Sequence, residues 1–140
     1  MSALHRGQPW WQWPPEYRDR ESAALEKLHH EHSDELSQLR IEQFVFASQW
    51  QALRSYAHAR GVRLLGDVPF YVAPDSAEVW THRAQFQLDA AGLPRAVAGV
   101  PPDYFSQFGQ LWGNPLYDWS RMRKDGFQFW RCLLYTSRCV

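Results

Sequence analysis

Apolar residues recur at helical spacing through the first part of the chain. Ser22 to Leu28, SAALEKL, is built of good helix formers. A second helical run begins near Ser33, which reads as an N-cap, with Asp34 and Glu35 suiting the positive end of the helix dipole. Leu36, Leu39, Phe46, Trp50, Leu53 and Ala57 follow at intervals of three, four and seven. That spacing gathers them on one face and predicts a helix that covers a core. Gly61 stands where a helix C-terminus favours a left-handed residue. The next residues, Val62 to Gly66, read as a short buried strand, and the helix-then-strand order predicts an α/β fold with a parallel sheet. Asp67 closes that strand, on the edge where parallel α/β folds carry their ligands.

The remaining elements are shorter. Pro9-Trp10-Trp11-Gln12-Trp13-Pro14-Pro15 reads as loop by its prolines, with helix from Glu16 onward. Asp75 to Trp80 predicts one helical turn, with Asp75 and Glu78 as capping residues. Phe86-Gln87-Leu88 and Arg95-Ala96-Val97 flank Asp89 to Pro94 as the arms of a hairpin. Asp89, Asp118 and Asp125 read as turn or cap residues. The segment Val97 to Tyr117, VAGVPPDYFSQFGQLWGNPLY, holds three glycines, three prolines and five aromatic residues, with Asp103 its only charge before Asp118. Its prolines and glycines predict neither regular helix nor strand, yet it is too apolar for a disordered linker. It reads as a long, semi-rigid aromatic loop.

Composition narrows the function classes. A chain of 140 residues accommodates one domain, and 45% hydrophobic with 21% charged residues fits a soluble globular protein. Aromatic residues make up 16%, including eight Trp, which fits either a heavy core or a site that grips flat or ring-shaped ligands. Fifteen basic residues balance fifteen acidic ones, so no basic face is available for a nucleic acid. No apolar run approaches the roughly 20 residues needed to span a bilayer, and the start carries no signal-peptide core, so cytoplasm is the expected location. Cys132 and Cys139 offer no disulfide framework or metal spacing. His29, His30 and His32 lack the i, i+4 pair of a helical zinc site and read as a solvated face. No metal and no cofactor is expected.

Specific stretches carry a resemblance. GDVPFYVAPDSAEVW (Gly66 to Trp80), FQLDAAGLP (Phe86 to Pro94), AGVPPDYFSQFGQLWGNPLYDW (Ala98 to Trp119) and DGFQFW (Asp125 to Trp130) closely resemble the 4-alpha-glucanotransferases, or amylomaltases, which form family 77 of the glycoside hydrolases. PWWQWPPEYR and FVFASQWQALRSYAHARGVRLLGDVP match the same family, and the resemblance covers residues 8 to 130. It implies an α/β fold in which residues 1–130 are part of a (β/α)8 TIM barrel with a long active-site lid loop. It also implies transfer of alpha-1,4-glucan segments by a retaining double displacement, and as partners maltooligosaccharides, starch or glycogen dextrins, and glucose. A lid of aromatic and proline residues that excludes water would favour transfer to a sugar over hydrolysis.

The resemblance implies substrate-binding roles for Asp67, near the sugar cleft, and for Asp103, the carboxylate of the lid. Tyr104 and Trp112 would border or stack on glucose rings, with plain packing the competing reading; Phe105 at the loop tip reads as a substrate-covering lid residue, and Asn114 would touch a sugar hydroxyl or orient a turn. For Asp67 and Asp103 a purely structural role, accepting loop amide hydrogen bonds, is the competing reading. The family's nucleophile lies in an Arg-Ile-Asp-His segment that this sequence does not contain. Nucleophile and acid/base are therefore expected beyond the C-terminal end, and the chain itself is expected to be inactive. Residues 131–140 read as a non-native tail resembling adapter read-through, because CLLYTSRCV departs from the amphipathic helix of the family. A non-catalytic carbohydrate-binding module is the alternative function. A hydrolase of the same barrel clan is disfavoured, because Val68-Pro69-Phe70-Tyr71 stands where those enzymes carry an Asn-His pair.

Overall fold

Helices dominate the first half because its good helix formers are interrupted only at turns. The structure, a computed structural model, describes residue 5 and residues 7–137. Pro15 pre-sets the first helical position of α1 (Pro15–Arg18), so that helix begins one residue earlier than the prolines suggested. Helices α2 (Ser22–Glu31) and α3 (Ser33–Ala59) follow. Ser33 is the first residue of α3 rather than its cap. His32 occupies the cap position without a side-chain cap bond. The end of α3 is as the sequence indicated. Gly61 adopts φ +72°, the Val62 amide donates to the Ala57 carbonyl at 3.0 Å, and the Gly61 amide donates to His58 at 3.0 Å. Those two bonds satisfy the last carbonyls in a Schellman motif.

Two expectations for this half are corrected. Val62 to Gly66 forms no strand; Leu65 is 100% exposed. A parallel strand needs neighbours reached through long crossovers, and none of the described residues supplies one, so the run has no ladder to join. Nor does α3 present one buried face. Leu39, Phe46 and Leu53 are exposed, and so are Ile41, Phe44 and Val45 elsewhere around the helix. No residue of Pro14–Asp67 is buried, so helical spacing here marks apolar surface that nothing described covers.

Contacts within the chain gather into two compact units. One is Pro14–Asp67, containing α1 to α3; the other joins the segment ending at Trp13 to Val68–Tyr135. The second unit owns the core: Trp10, Trp13, Val79, Phe86, Ala98, Pro115, Tyr117 and Met122 are buried. Its two tryptophans come from the proline-rich opening, which forms a 3-10 turn, Trp10–Gln12, rather than plain loop. The Trp10 indole donates to the Pro74 carbonyl at 2.8 Å, and the Arg83 guanidinium lies 4.4 Å over its ring. Gly92, at φ +89°, lies so close beneath Trp10 that an added Cβ would come within 2.3 Å of the indole. Trp13 meets Trp80 edge to face at 5.4 Å.

Helix α4 (Ala77–Thr81) is capped by Ser76, whose Oγ accepts from the Val79 amide at 3.3 Å; Asp75 and Glu78, the expected caps, do not perform that role. The expected hairpin around Asp89 is reduced to a single antiparallel bridge, Leu88 with Pro94, because Pro94 has no amide to extend a ladder. Asp89 does turn the chain, its Oδ1 accepting from the Ala91 and Leu93 amides at 2.9 Å each. Asp118 caps α5 (Trp119–Lys124) by accepting from Arg121 at 3.0 Å. Asp125 receives the Gln85 side-chain amide at 2.7 Å and, at 3.2 Å, the Gln128 amide that opens α6 (Gln128–Ser137). The bond from Gln85 is the main reason the Asp125 carboxyl is held below the ordinary carboxylate range. Helix α6 runs on into the segment read as a tail, whose last three residues lie outside the described residues.

The proline- and glycine-rich segment brings a further correction. Its two ends are strands, β1 (Val97–Val100) and β2 (Gln110–Pro115), paired antiparallel. Its middle, residues 101–109, is irregular, and Leu116 and Tyr117 follow β2 outside the strand. Glycine is required in this ladder rather than harmful to it. A Cβ on Gly99 would stand 2.5 Å from the Gln110 carbonyl oxygen, and one on Gly109 would stand 2.5 Å from that of Val100. This antiparallel pair is the sheet found among the described residues; the expected parallel sheet is not seen there.

Candidate functional site

The β1–β2 hairpin carries five of the six candidate residues, Asp103, Tyr104 and Phe105 at its tip and Trp112 and Asn114 on β2. Pro101 and Pro102 end β1 because neither can donate to a ladder. Asp103 then turns the chain. Its Oδ1 accepts from the Phe105 amide at 2.9 Å and the Ser106 amide at 2.8 Å, while its own amide donates to the Ser106 carbonyl at 2.9 Å. The Ser106 hydroxyl donates to the Gly109 carbonyl at 2.7 Å and closes the loop on itself. With its polar groups turned inward, the loop turns its rings outward. Tyr104 is 97% exposed, Phe105 89% and Phe108 90%, and Tyr104 meets Phe105 edge to face at 5.5 Å. The structural reading of Asp103 thus describes one carboxylate oxygen; Oδ2 accepts no hydrogen bond among the described residues.

Trp112 and Asn114 lie on β2, where the register is irregular. Val97 pairs with Pro115 and Gly99 with Leu111, so between these pairs one residue on β1 opposes three on β2. Gly113, at φ +80°, lies in that excess. A bulge of this kind re-aims the side chains around it. Trp112 turns to meet Tyr71 at 5.3 Å, its indole N–H taken by Gln110 Oε1 at 3.0 Å. The Asn114 amide donates to the Val72 carbonyl at 2.9 Å, so its hydrogen bond orients backbone.

Two residues that sequence reasoning did not single out lie among these, Tyr71 and Tyr117. Tyr117 is buried, and its hydroxyl donates to the Phe70 carbonyl at 2.6 Å. Its ring packs near Phe70, Phe86, Trp119, Phe129 and Trp130. Burial in that aromatic cluster, with Tyr71 nearby, pushes its hydroxyl up to about 12. No local pattern announces such a contact; the dense aromatic content of LYDW was the only signal. Asp67 belongs to the helical unit and is exposed, its carboxylate in no hydrogen bond among the described residues.

This surface offers two kinds of chemistry. Exposed ring faces attract the apolar C–H face of a flat or ring-shaped ligand. A carboxylate oxygen accepts hydrogen bonds from hydroxyls. Among the described residues no three or more His, Cys, Asp or Glu side chains group closely enough to hold a metal ion.

Residues 1–138 match the family of 4-alpha-glucanotransferases, glycoside hydrolase family 77. The chain is 48% identical over 130 residues to a 4-alpha-glucanotransferase of Thermus thermophilus, covering 93% of this chain and 26% of that protein. It is 46% identical over 121 residues to a chloroplastic/amyloplastic 4-alpha-glucanotransferase of Solanum tuberosum, covering 86% and 21%. Its structure resembles an amylomaltase of Streptococcus agalactiae solved in complex with acarbose, with a TM-score of 0.90, 35% identity, and coverage of 96% of this chain and 28% of that one. The chain therefore spans about a quarter of the length of these relatives.

Proposed function

The chain belongs to the 4-alpha-glucanotransferase family, and from that membership we propose that it is the glucan-binding lid segment of an enzyme transferring alpha-1,4-glucan units. Its partners are maltooligosaccharides, starch or glycogen dextrins, and glucose. The observation that carries this reading is the Asp103 turn, which spends one carboxylate oxygen on the Phe105 and Ser106 amides and leaves Tyr104 and Phe105 outward on a braced loop. A loop built this way holds apolar rings in water at a hydration cost, and a sugar seated beneath them relieves it.

The reaction proposed is a retaining double displacement. An aspartate attacks the anomeric carbon, and the glycosidic bond breaks as a glutamic acid protonates the leaving oxygen. The 4-hydroxyl of an acceptor then attacks the glycosyl ester and returns its proton to the glutamate. We assign neither carboxylate to this chain. Its residues act on the sugars and on water. Asp103 and Asp67 accept sugar hydroxyls, Trp112 borders a ring, and Tyr104 with Phe105 covers the reacting sugar so that a glucan rather than water takes the glycosyl group. The exposed apolar surface of α3 fits a (β/α)8 barrel whose strands and other helices lie in the part of the relatives this chain does not span. A cytoplasmic location remains our proposal for this chain, although the potato relative is named chloroplastic/amyloplastic.

The test is a graft. Residues 8–130 replace their counterpart in the Thermus thermophilus relative, and disproportionation of maltotriose is followed. Transfer at a rate within about tenfold of the parent supports the reading. A graft that folds and binds maltotriose but does not transfer favours a non-catalytic carbohydrate-binding module instead.

A further inference from the structure

The backbone on both sides of Tyr71 is pinned by side chains from β2 and the residues that follow it. Phe70, Tyr71 and Val72 belong to no helix or strand, so nothing regular fixes them. Yet the Phe70 carbonyl accepts the Tyr117 hydroxyl at 2.6 Å, and the Val72 carbonyl accepts the Asn114 amide at 2.9 Å. Between those two bonds the Phe70 and Tyr71 rings meet edge to face at 4.9 Å, and each has a further partner. Phe70 turns to Trp130, at 5.0 Å between centroids, and to Tyr117, at 6.1 Å. Tyr71 turns to Trp112, at 5.3 Å with their planes 63° apart. Tyr71 and Trp112 keep 39% and 44% of their surface exposed, so the pair forms an open corner of two ring faces. The indole N–H of Trp112 is already satisfied by Gln110, whereas the Tyr71 hydroxyl makes no hydrogen bond among the described residues.

We infer that Tyr71 is a sugar-binding residue, that its ring and that of Trp112 form a corner receiving one pyranose ring of an alpha-1,4-glucan, and that Asn114 and Tyr117 are positioning residues acting through Tyr71. The inference rests on the glucan reading above. A pyranose offers what such a corner takes: an apolar face of C–H bonds to stack on one ring, and hydroxyls at its rim for the free Tyr71 hydroxyl. The two backbone bonds pre-pay the ordering of the segment, which a sugar would otherwise have to supply on binding. Asn114 therefore serves the sugar through the Val72 carbonyl rather than by touching a hydroxyl.

The test is titration of the full 140-residue chain with maltotetraose. Tyr71→Ala is expected to raise Kd by about fivefold or more, and Tyr71→Phe by about threefold at most. Asn114→Ala and Tyr117→Phe are each expected to raise Kd by about threefold in the parent, and to have no further effect once Tyr71 is Ala. That loss of effect separates positioning through Tyr71 from a general loss of structure. In the unmodified chain, intermolecular nuclear Overhauser effects are expected between sugar C–H protons and the Tyr71 ring, a reading that needs no variant to fold. Saturable binding with an unchanged Kd in Tyr71→Ala, or with no contact to the Tyr71 ring, overturns the inference and leaves the glucan reading standing. Absence of saturable binding by the unmodified chain overturns both.

Discussion

Tyr117 donates its hydroxyl to the backbone carbonyl of Phe70 at 2.6 Å across 47 positions of sequence, and it does so from a buried ring. Tyr117→Phe removes that bond and keeps the ring, leaving the Phe70 carbonyl without its partner. The expected cost in chemical denaturation is about 1–2 kcal/mol. Burial raises the folded-state hydroxyl to about 12 against an ordinary value of 10.0, so the neutral form is favoured on folding. The stability this contributes is complete below pH 10 and is lost as pH rises through about 12. Denaturation midpoints between these limits are expected to fall less in Tyr117→Phe than in the parent chain; equal falls would show that Tyr117 does not carry the alkaline sensitivity.

Two glycines with similar backbone conformation separate strain from crowding. Gly61 has φ +72° and open space around it, whereas Gly92 has φ +89° and Trp10 directly above. Gly61→Ala should cost about 1 kcal/mol from the left-handed conformation alone. Gly92→Ala adds the displacement of a buried indole and should cost about 1–3 kcal/mol more. Thermal unfolding of the two variants checks the order, and a Gly92→Ala chain as stable as Gly61→Ala would contradict the packing of Trp10.

Asp103 has two separable roles, one for each carboxylate oxygen. Asp103→Asn keeps an oxygen for the Phe105 and Ser106 amides but removes the charge, whereas Asp103→Ala removes both. Amide exchange at Phe105 and Ser106 should stay slow in Asn and quicken in Ala. In the graft, both variants should weaken maltotriose transfer, by about tenfold, if the carboxylate accepts sugar hydroxyls. An Asn variant that transfers as the parent does would reduce Asp103 to its turn.

Legibility in the sequence followed how local each cause is. The Gly61 stop of α3 and the turns at Asp89, Asp118 and Asp125 depend on a few neighbouring residues, and all could be read directly. What depends on distant partners could not. Val62 to Gly66 has strand composition, but a strand exists only beside another strand, and the described residues provide none. The two strands of the hairpin were hidden for the opposite reason. Gly99 and Gly109 look like breakers until the facing carbonyls at 2.5 Å from their missing Cβ positions are known. Among candidate site residues, Asp103, Tyr104, Phe105, Trp112 and Asn114 were nominated by their family motif, and their binding roles remain proposals. The setting of Tyr71 and Tyr117 could not be read, because the bonds that fix it run to the backbone of Phe70 and Val72 from more than forty residues away.

We propose that the segment covers a reacting sugar and keeps water from it. The most direct measurement is product analysis of the graft on maltotriose, with Tyr104 and Phe105 both replaced by Ala. These rings are almost fully exposed and bury nothing in the described structure, so their loss should leave stability within about 0.5 kcal/mol of the parent. The ratio of hydrolysis to glucan transfer is expected to rise by about tenfold, because water then reaches the glycosyl ester that an acceptor sugar should take. An unchanged ratio in a graft that still transfers would contradict the proposal.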